Sequence, residues 1–322
     1  MNTVTKKRKV SSRIIVLLIT ILVCTIVMSI LKPKTFFTVS NLSSSLTTVT
    51  FNLILACGMT IVLMLGCVDL SVGPIIAFIS VIVAKMLQGG AALVPTLLAA
   101  LLIGVLLGAV NGALVGYGGL APFVATLGTQ SVLRGINYVL TNGYTITGLP
   151  ASFYQIGQGK LFGIPNLILI SVFVVLVMAL IVPRNAFFKK VYLVGTSKNV
   201  SYMSGISSDL VIIGGYAISG FCAAMCGVLM CSRYAMGNAA YANGYETQAI
   251  AAAVIGGAVM SGGEGNIFGT ALGVLLVALV NNSFIQFGGS AEWQTAISGV
   301  MLVLTLFIDV IHQKNAARKG LA

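Results

Sequence analysis

The sequence predicts an all-α polytopic membrane protein of about ten transmembrane helices with an inverted internal repeat, and three observations carry that prediction. The first is composition: of 322 residues, 58% are apolar and 7% charged. A soluble domain carries roughly a quarter charged residues, so a water-facing surface cannot be built from this chain. The second is that the apolar residues fall in long unbroken blocks near the ~20 residues a spanning helix needs. A transmembrane barrel would show weak alternating segments of ~10 residues instead. The third is where the basic residues lie within a formal net charge of +12. Twelve of the 18 Lys and Arg residues stand in three clusters: Lys6, Lys7, Arg8, Lys9 and Arg13; Arg184, Lys189, Lys190 and Lys198; Lys314, Arg318 and Lys319. That distribution is the positive-inside pattern of short cytoplasmic loops. A nucleic-acid footprint would set aromatic residues or a recognition helix beside the charge, and neither accompanies these clusters.

The blocks follow in order. Residues 1–13 form a basic cytoplasmic N-terminus, 14–311 a single transmembrane domain and 312–322 a cytoplasmic tail. Ile14–Leu31 is long enough to span, and Lys32-Pro33-Lys34 after it is no small-residue cleavage site, so it reads as a retained helix and not a signal peptide. Leu46–Leu65, Leu70–Leu87, Pro95–Tyr117 and Ala121–Leu140 come next. Thr141–Pro165, interrupted by Gly143, Gly148, Pro150, Gly157, Gly159 and Gly163, reads as an external loop with a short surface turn around Phe153 and Tyr154. Asn166–Pro183 leads into a basic cytoplasmic loop over residues 184–209, and Leu210–Cys231 follows. Thr247–Met260 is short and rich in Ala and Gly, and reads either as a span or as a re-entrant half-helix. Ile267–Phe287 and Trp293–Ile311 complete the set. Six crossings bring the chain back to the side of its N-terminus at Arg184, and four more do so at Lys314, so all basic clusters share one side.

Gly108–Thr129 aligns without a gap on Ala278–Gly299: Val110 with Val280, Asn111 with Asn281, Gly118-Gly119 with Gly288-Gly289 and Ala121 with Ala291. The two copies start in helices of opposite direction, which implies an inverted-topology repeat of the kind found in many transporters. Chance similarity between Gly- and Ala-rich helices is the alternative. Gly104, Gly108, Gly112 and Gly116 form a ridge without side chains, as do Gly215, Ser219, Ala223 and Gly227 with only small ones. Such ridges let helix backbones approach closely in a bilayer.

The polar inventory is short. Among six acidic residues, Asp69 lies between two apolar blocks, where an ionisable group is a functional candidate; followed by Leu70-Ser71, it also reads as an N-cap accepting amides of the next helix. Arg134 sits inside a block and must face protein, water or the interface. The six cysteines read as small buried apolar residues, since Cys222 and Cys226 find no further ligand for a zinc site. His312, after the last block, is the only histidine, so no Ser-His or metal-His constellation forms in the membrane. A phosphate-binding G-x-x-x-x-G-K-[ST] loop is missing, and Gly262-Gly263-Glu264-Gly265 reads as a tight turn between helices. No catalytic residue, metal or cofactor is expected, and the chain is not expected to be an enzyme. Amides and hydroxyls dominate instead. The candidates for a translocation pathway are Asp69, Ser71, Asn111, Thr126, Gln130, Asn281 and Asn282, residue types that suit a neutral polyol or join helices by hydrogen bonds.

Several motifs carry a resemblance. Phe36-Phe37-Thr38-Val39-Ser40-Asn41-Leu42, Gly58-Met59-Thr60, Val68-Asp69-Leu70-Ser71-Val72-Gly73, Ala125-Thr126-Leu127, Leu133-Arg134-Gly135 and Thr141-Asn142-Gly143 are followed by Val191-Tyr192-Leu193-Val194-Gly195, Met203-Ser204-Gly205-Ile206, Gly244-Tyr245-Glu246, Ala249-Ile250-Ala251-Ala252, Ser261-Gly262-Gly263 and Asn281-Asn282. In this order and spacing, from about Ile30 to Asp309, the chain resembles the permease subunit of bacterial ribose-type ABC importers. The resemblance implies a homodimeric pore in the bacterial cytoplasmic membrane, with a separate ABC ATPase and an extracytoplasmic sugar-binding protein as partners. It further implies a coupling helix docking on the ATPase, which maps onto Gly195–Ile206 with Gly195, Lys198, Asn199, Ser201, Ser204 and Gly205 as its residues. Thr196 and Val200-Ser201 depart from the Gly and paired Ala common there. Ribose, xylose, galactose and a signalling furanose are all compatible as cargo. An ion-coupled secondary transporter of a small neutral solute is the alternative, for which the few carboxylates argue poorly.

Overall fold

The computed structural model describes residues 12–290 together with Trp293, Ala296, Ile297, Gly299, Val300, Met301, Val303 and Phe307. The cluster Lys6–Lys9, the cluster Lys314–Lys319, His312 and most of the tenth block lie outside the described residues, as do Glu292 and Ala291 of the second repeat copy. The described chain is almost entirely helical: α1 Ser12–Leu31, α2 Val39–Met64, α3 Val72–Gln88, α4 Leu93–Gly116, α5 Pro122–Thr141, α6 Ala151–Gln158, α7 Asn166–Ile181, α8 Ala186–Thr196, α9 Lys198–Met203, α10 Ser208–Tyr234, α11 Tyr245–Ile255 and α12 Ile267–Gln286. A two-residue antiparallel hairpin, β1 Lys160–Leu161 with β2 Ile164–Pro165, joins α6 to α7.

Each of the first nine predicted blocks coincides with a helix, yet not each helix is a full span. Five described helices are long and apolar enough to cross a bilayer, namely α1, α2, α4, α10 and α12, and α7 with α8, bent by 75°, form a sixth candidate. The shortfall from ten has physical reasons. Helix α5 carries Thr126, Thr129, Gln130, Ser131, Arg134 and Asn137 along its length, α3 has 17 residues and α11 only 11. Helix α11 is thus a half-length segment, followed by the turn over residues 256–266 that returns the chain into α12, where the Asn266 side chain caps by accepting from Phe268 and Gly269 amides.

Helix α10 sits at the centre, between α4 on one side and α2 and α3 on the other. The α4 ridge makes the first of these seams. A Cβ on Gly108 would strike the Tyr216 carbonyl, one on Gly104 the Ala224 side chain and one on Gly112 the Ile213 backbone, so the two helices run antiparallel at backbone contact. The second small-residue ridge faces the other way. Gly215 packs against Leu65, and Gly227 against Ile76 and Ile79, on α2 and α3. With lipid on the outside there is no hydrophobic drive to associate, and close packing of small residues supplies the cohesion. Apolar side chains on α1, α4 and α7, such as Val23, Leu102 and Phe173, are left exposed for the hydrocarbon.

Two regions read as loops are ordered differently. Within residues 141–165, Phe153 lies in α6 and is fully buried, not in a surface turn. Ser232 at the end of α10 donates to the Phe153 carbonyl (2.6 Å) and accepts from the Gly157 amide (2.8 Å), which pins α6 down. An isolated bridge, Ile146 to Gly237, ties this segment to the connection between α10 and α11. Residues 184–209 hold α8 and α9, where the Asn185 and Ser197 side chains cap the helices.

Candidate functional site

Three polar features stand out, and they differ in how completely they are satisfied. The first surrounds Asp69 in the turn between α2 and α3. Asp69 Oδ1 accepts from the Ser71 amide (3.0 Å) and hydroxyl (2.6 Å), and Oδ2 accepts from the Ser219 hydroxyl of α10 (2.9 Å). Asn111 of α4 donates to Ser71 Oγ (2.7 Å), and its own Oδ1 accepts from Thr129 of α5 (2.6 Å). Asp69, Ser71 and Asn111 are fully buried. The N-cap expectation is therefore corrected: Ser71 is the capping position of α3, and Asp69, two residues earlier, folds back in an Asx-type turn and reaches across to α10. Its place between Ser71 and Ser219 makes it the hub joining α3, α4, α5 and α10. Thr126 is buried and donates to the Pro122 carbonyl of its own helix (2.8 Å), and Gln130 is half-buried on the same helix. Arg134 faces protein, its Nη1 donating to the Ala239 (3.1 Å) and Tyr241 (2.9 Å) carbonyls.

The second feature is a cavity of about 190 Å³ where the first half of α2 meets α11 and α12. Helix α2 contributes Asn41, Ser44, Ser45, Thr48 and Asn52, which share one face at spacings of three and four. Tyr245 and Gln248 come from α11, and Asn281 and Asn282 from α12. No charged residue lines it. Asn41 and Asn282 close one wall with a reciprocal amide pair: Asn282 donates to Asn41 Oδ1 (2.7 Å) and to Ser45 Oγ (2.7 Å), and Asn41 donates to Asn282 Oδ1 (3.3 Å). Asn52 donates to Gln248 Oε1 (3.2 Å). By contrast, the Oδ1 atoms of Asn52 and Asn281 are buried with no hydrogen-bond partner, a state that costs about 1–3 kcal/mol per group.

Of the predicted pathway residues, the fold therefore separates Asp69, Ser71 and Asn111 from Asn281 and Asn282. Asn41, Ser44 and Ser45 of the α2 stripe precede the apolar block that starts at Leu46. The helix starts seven residues earlier, at Val39, with Thr38 as its N-cap. A polar run of Ser40, Asn41 and Ser43–Ser45 looks like a connector by hydropathy; its spacing of three and four was the signal available.

The third feature lies at the other end of α2. Gly195, at the end of α8, is packed so closely that a Cβ would collide with the Met64 carbonyl. The Gly263 amide donates to that same carbonyl (2.9 Å), and Tyr192 of α8 donates through its hydroxyl to the Gly265 carbonyl (2.7 Å). The turn leading into α12, the end of α2 and helix α8 are thus locked together. Beyond this lock α9 projects. Tyr202 is 82% and Met203 87% exposed, and Lys198, Asn199, Ser204 and Gly205 are exposed with them. Ser201 differs: it is buried, its hydroxyl donating to the carbonyl of Ser197, the N-cap of the same helix (3.0 Å). Among the described residues no group of three or more His, Cys, Asp or Glu side chains could hold a metal.

Residues 41–306 match the family model described as branched-chain amino acid transport system / permease component. The chain is 34% identical to the ribose import permease protein RbsC of Bacillus subtilis over 286 residues, 88% of each chain. It is 30% identical to the D-allose transport system permease protein AlsC of Escherichia coli over 88% of this chain and 87% of that one. It is 31% identical to the autoinducer 2 import system permease protein LsrC of Yersinia pseudotuberculosis, over 86% of this chain and 79% of that one. No solved structure matches the chain.

Proposed function

The chain belongs to the permease-component family of the branched-chain amino acid transport type, and on that premise we propose that it is the pore subunit of a sugar ABC importer in the bacterial cytoplasmic membrane. The cargo is a ribose-like monosaccharide, as the relatives that carry ribose, D-allose and autoinducer 2 support. An extracytoplasmic binding protein delivers it and a separate ATPase supplies the energy, so the chain is not itself an enzyme. Two copies form the pore. The two halves form an inverted repeat and both termini are cytoplasmic. Arg13, whose side chain reaches Gly257 beside the turn into α12, then lies on the same side as Lys198 and Arg184.

The observation that carries this reading is the exposed α9 on its glycine lock. A short helix with Tyr202 and Met203 bare to solvent is a docking surface, because aromatic and Met side chains are enriched in interface cores. Motion imposed on it passes through Gly195 to Met64 of α2 and through Gly263 and Gly265 to α12. ATP-driven closure of the ATPase then shifts the pore between states of different affinity for its partners. The binding protein docks at the opposite end, where residues 141–165 and 233–245 join through Ile146 and Gly237.

The test is uptake by permease reconstituted with its ATPase and binding protein. Lys198→Glu combined with Tyr202→Ala should abolish uptake and co-purification of the ATPase while the permease inserts normally. Wild-type uptake from that variant would overturn the assignment of α9.

A further inference from the structure

We infer that the cavity between α2, α11 and α12 is a transient binding site for one neutral polyhydroxylated solute. This inference rests on the importer reading above and adds to it where in the pore the cargo is held. Amides and hydroxyls with no charged group repel no neutral solute and offer no counter-charge to an ion. Two buried carbonyl-type acceptors, Asn52 Oδ1 and Asn281 Oδ1, stand on different helices without a donor. Asn52 is only 5% exposed, so bulk water does not reach it freely. A solute with hydroxyl donors on opposite edges satisfies both acceptors at once, which an apolar molecule of equal size cannot do. Tyr245 adds a ring to the lining, a surface for the C–H face of a sugar ring. Ser44 and Thr48, both exposed on the same stripe, lead from the surface to Asn52.

The site also has the connection a waystation needs. Its far wall, Asn281 and Asn282, is carried by α12, the helix whose preceding turn is held to α2 through Gly263 and Met64 and to α8 through Gly265 and Tyr192. Movement of α9 therefore reaches the cavity wall through α12, and the Asn41–Asn282 amide pair is the contact that must part for the wall to swing. Hydrogen bonds to two neutral acceptors give weak binding, which suits a site that must release its cargo in every cycle.

Transport and ATP hydrolysis measured together decide the matter, using the complete importer in proteoliposomes with D-ribose and D-allose as probes. Asn52→Leu and Asn281→Leu should each lower uptake about tenfold or more, while ATP hydrolysis stimulated by the loaded binding protein stays near wild type. Asn52→Gln, which keeps the acceptor, should recover most of the uptake. Uptake at the wild-type rate in both Leu variants overturns the inference, as does equal loss of uptake and hydrolysis that Asn52→Gln does not recover. A requirement of wild-type uptake for sodium would make the orphan acceptors an ion site and overturn it too. Failure of the wild-type complex to move either sugar with ATPase and binding protein present would instead count against the importer reading itself.

Discussion

Asn111 donates to Ser71, accepts from Thr129 and is fully buried; Asn281, 170 residues later in the aligned segment, keeps a buried Oδ1 without a partner at the wall of a polar cavity. The same residue type, in two helices of similar composition, thus serves two ends. Around Asn111 the helices touch at backbone distance along the α4–α10 seam, and every oxygen of Asp69 has donors. Around Asn281 the α2 stripe holds α12 away and leaves room. The two amides thus differ in whether the fold brings their oxygen a partner.

That contrast can be broken experimentally, most severely at the seam. Gly108→Leu drives a side chain into the Tyr216 carbonyl, where neither backbone can retreat; overpacking of this kind costs about 3 kcal/mol or more, and thermal unfolding in detergent should show little or no folded protein. Asp69→Ala removes the acceptor of three donors, two of them hydroxyls that can turn to other carbonyls. The expected loss is about 2–3 kcal/mol, read as a lowered unfolding temperature in the same assay.

The sharpest comparison pairs Asn111→Leu with Asn281→Leu. The first removes the donor to Ser71 Oγ and the side-chain acceptor of Thr129 and should destabilise by about 1–3 kcal/mol. The second strands nothing that is now paired through Oδ1 and should leave stability within about 0.5 kcal/mol, while uptake falls. Equal destabilisation by both would erase the distinction between the two regions. Tyr202→Ala, on a side chain exposed to solvent, should change stability least of all, again within about 0.5 kcal/mol, and be felt only when the ATPase is present.

The helical class, nine of the ten apolar blocks and the glycine ridges were legible in the sequence because composition and period are local properties. What misled it was also local. Hydropathy clips the polar first turns of α2, so Asn41, Ser44 and Ser45 fall outside the apolar block, and the Gly and Pro residues of 141–165 read as a loop where α6 forms with Phe153 buried. The structure places Asp69 and Asn111 in one hydrogen-bonded cluster and Asn281 at a separate cavity, a division that no local property of the sequence encodes. Whether a polar side chain is paired depends on residues far along the chain, such as Ser219 for Asp69, 150 positions away, and Asn282 for Asn41, 241 positions away.

By itself the sequence determined that this chain lives in a bilayer as packed helices: too few charges for a water-facing surface, blocks of spanning length and small residues at helical spacing leave no other arrangement. Only the tertiary structure decided which polar residues are mortar and which are open. Satisfaction of a buried donor or acceptor is a property of the partner that the fold brings to it, and in a medium without competing water that partner sets both stability and where a polar solute can rest.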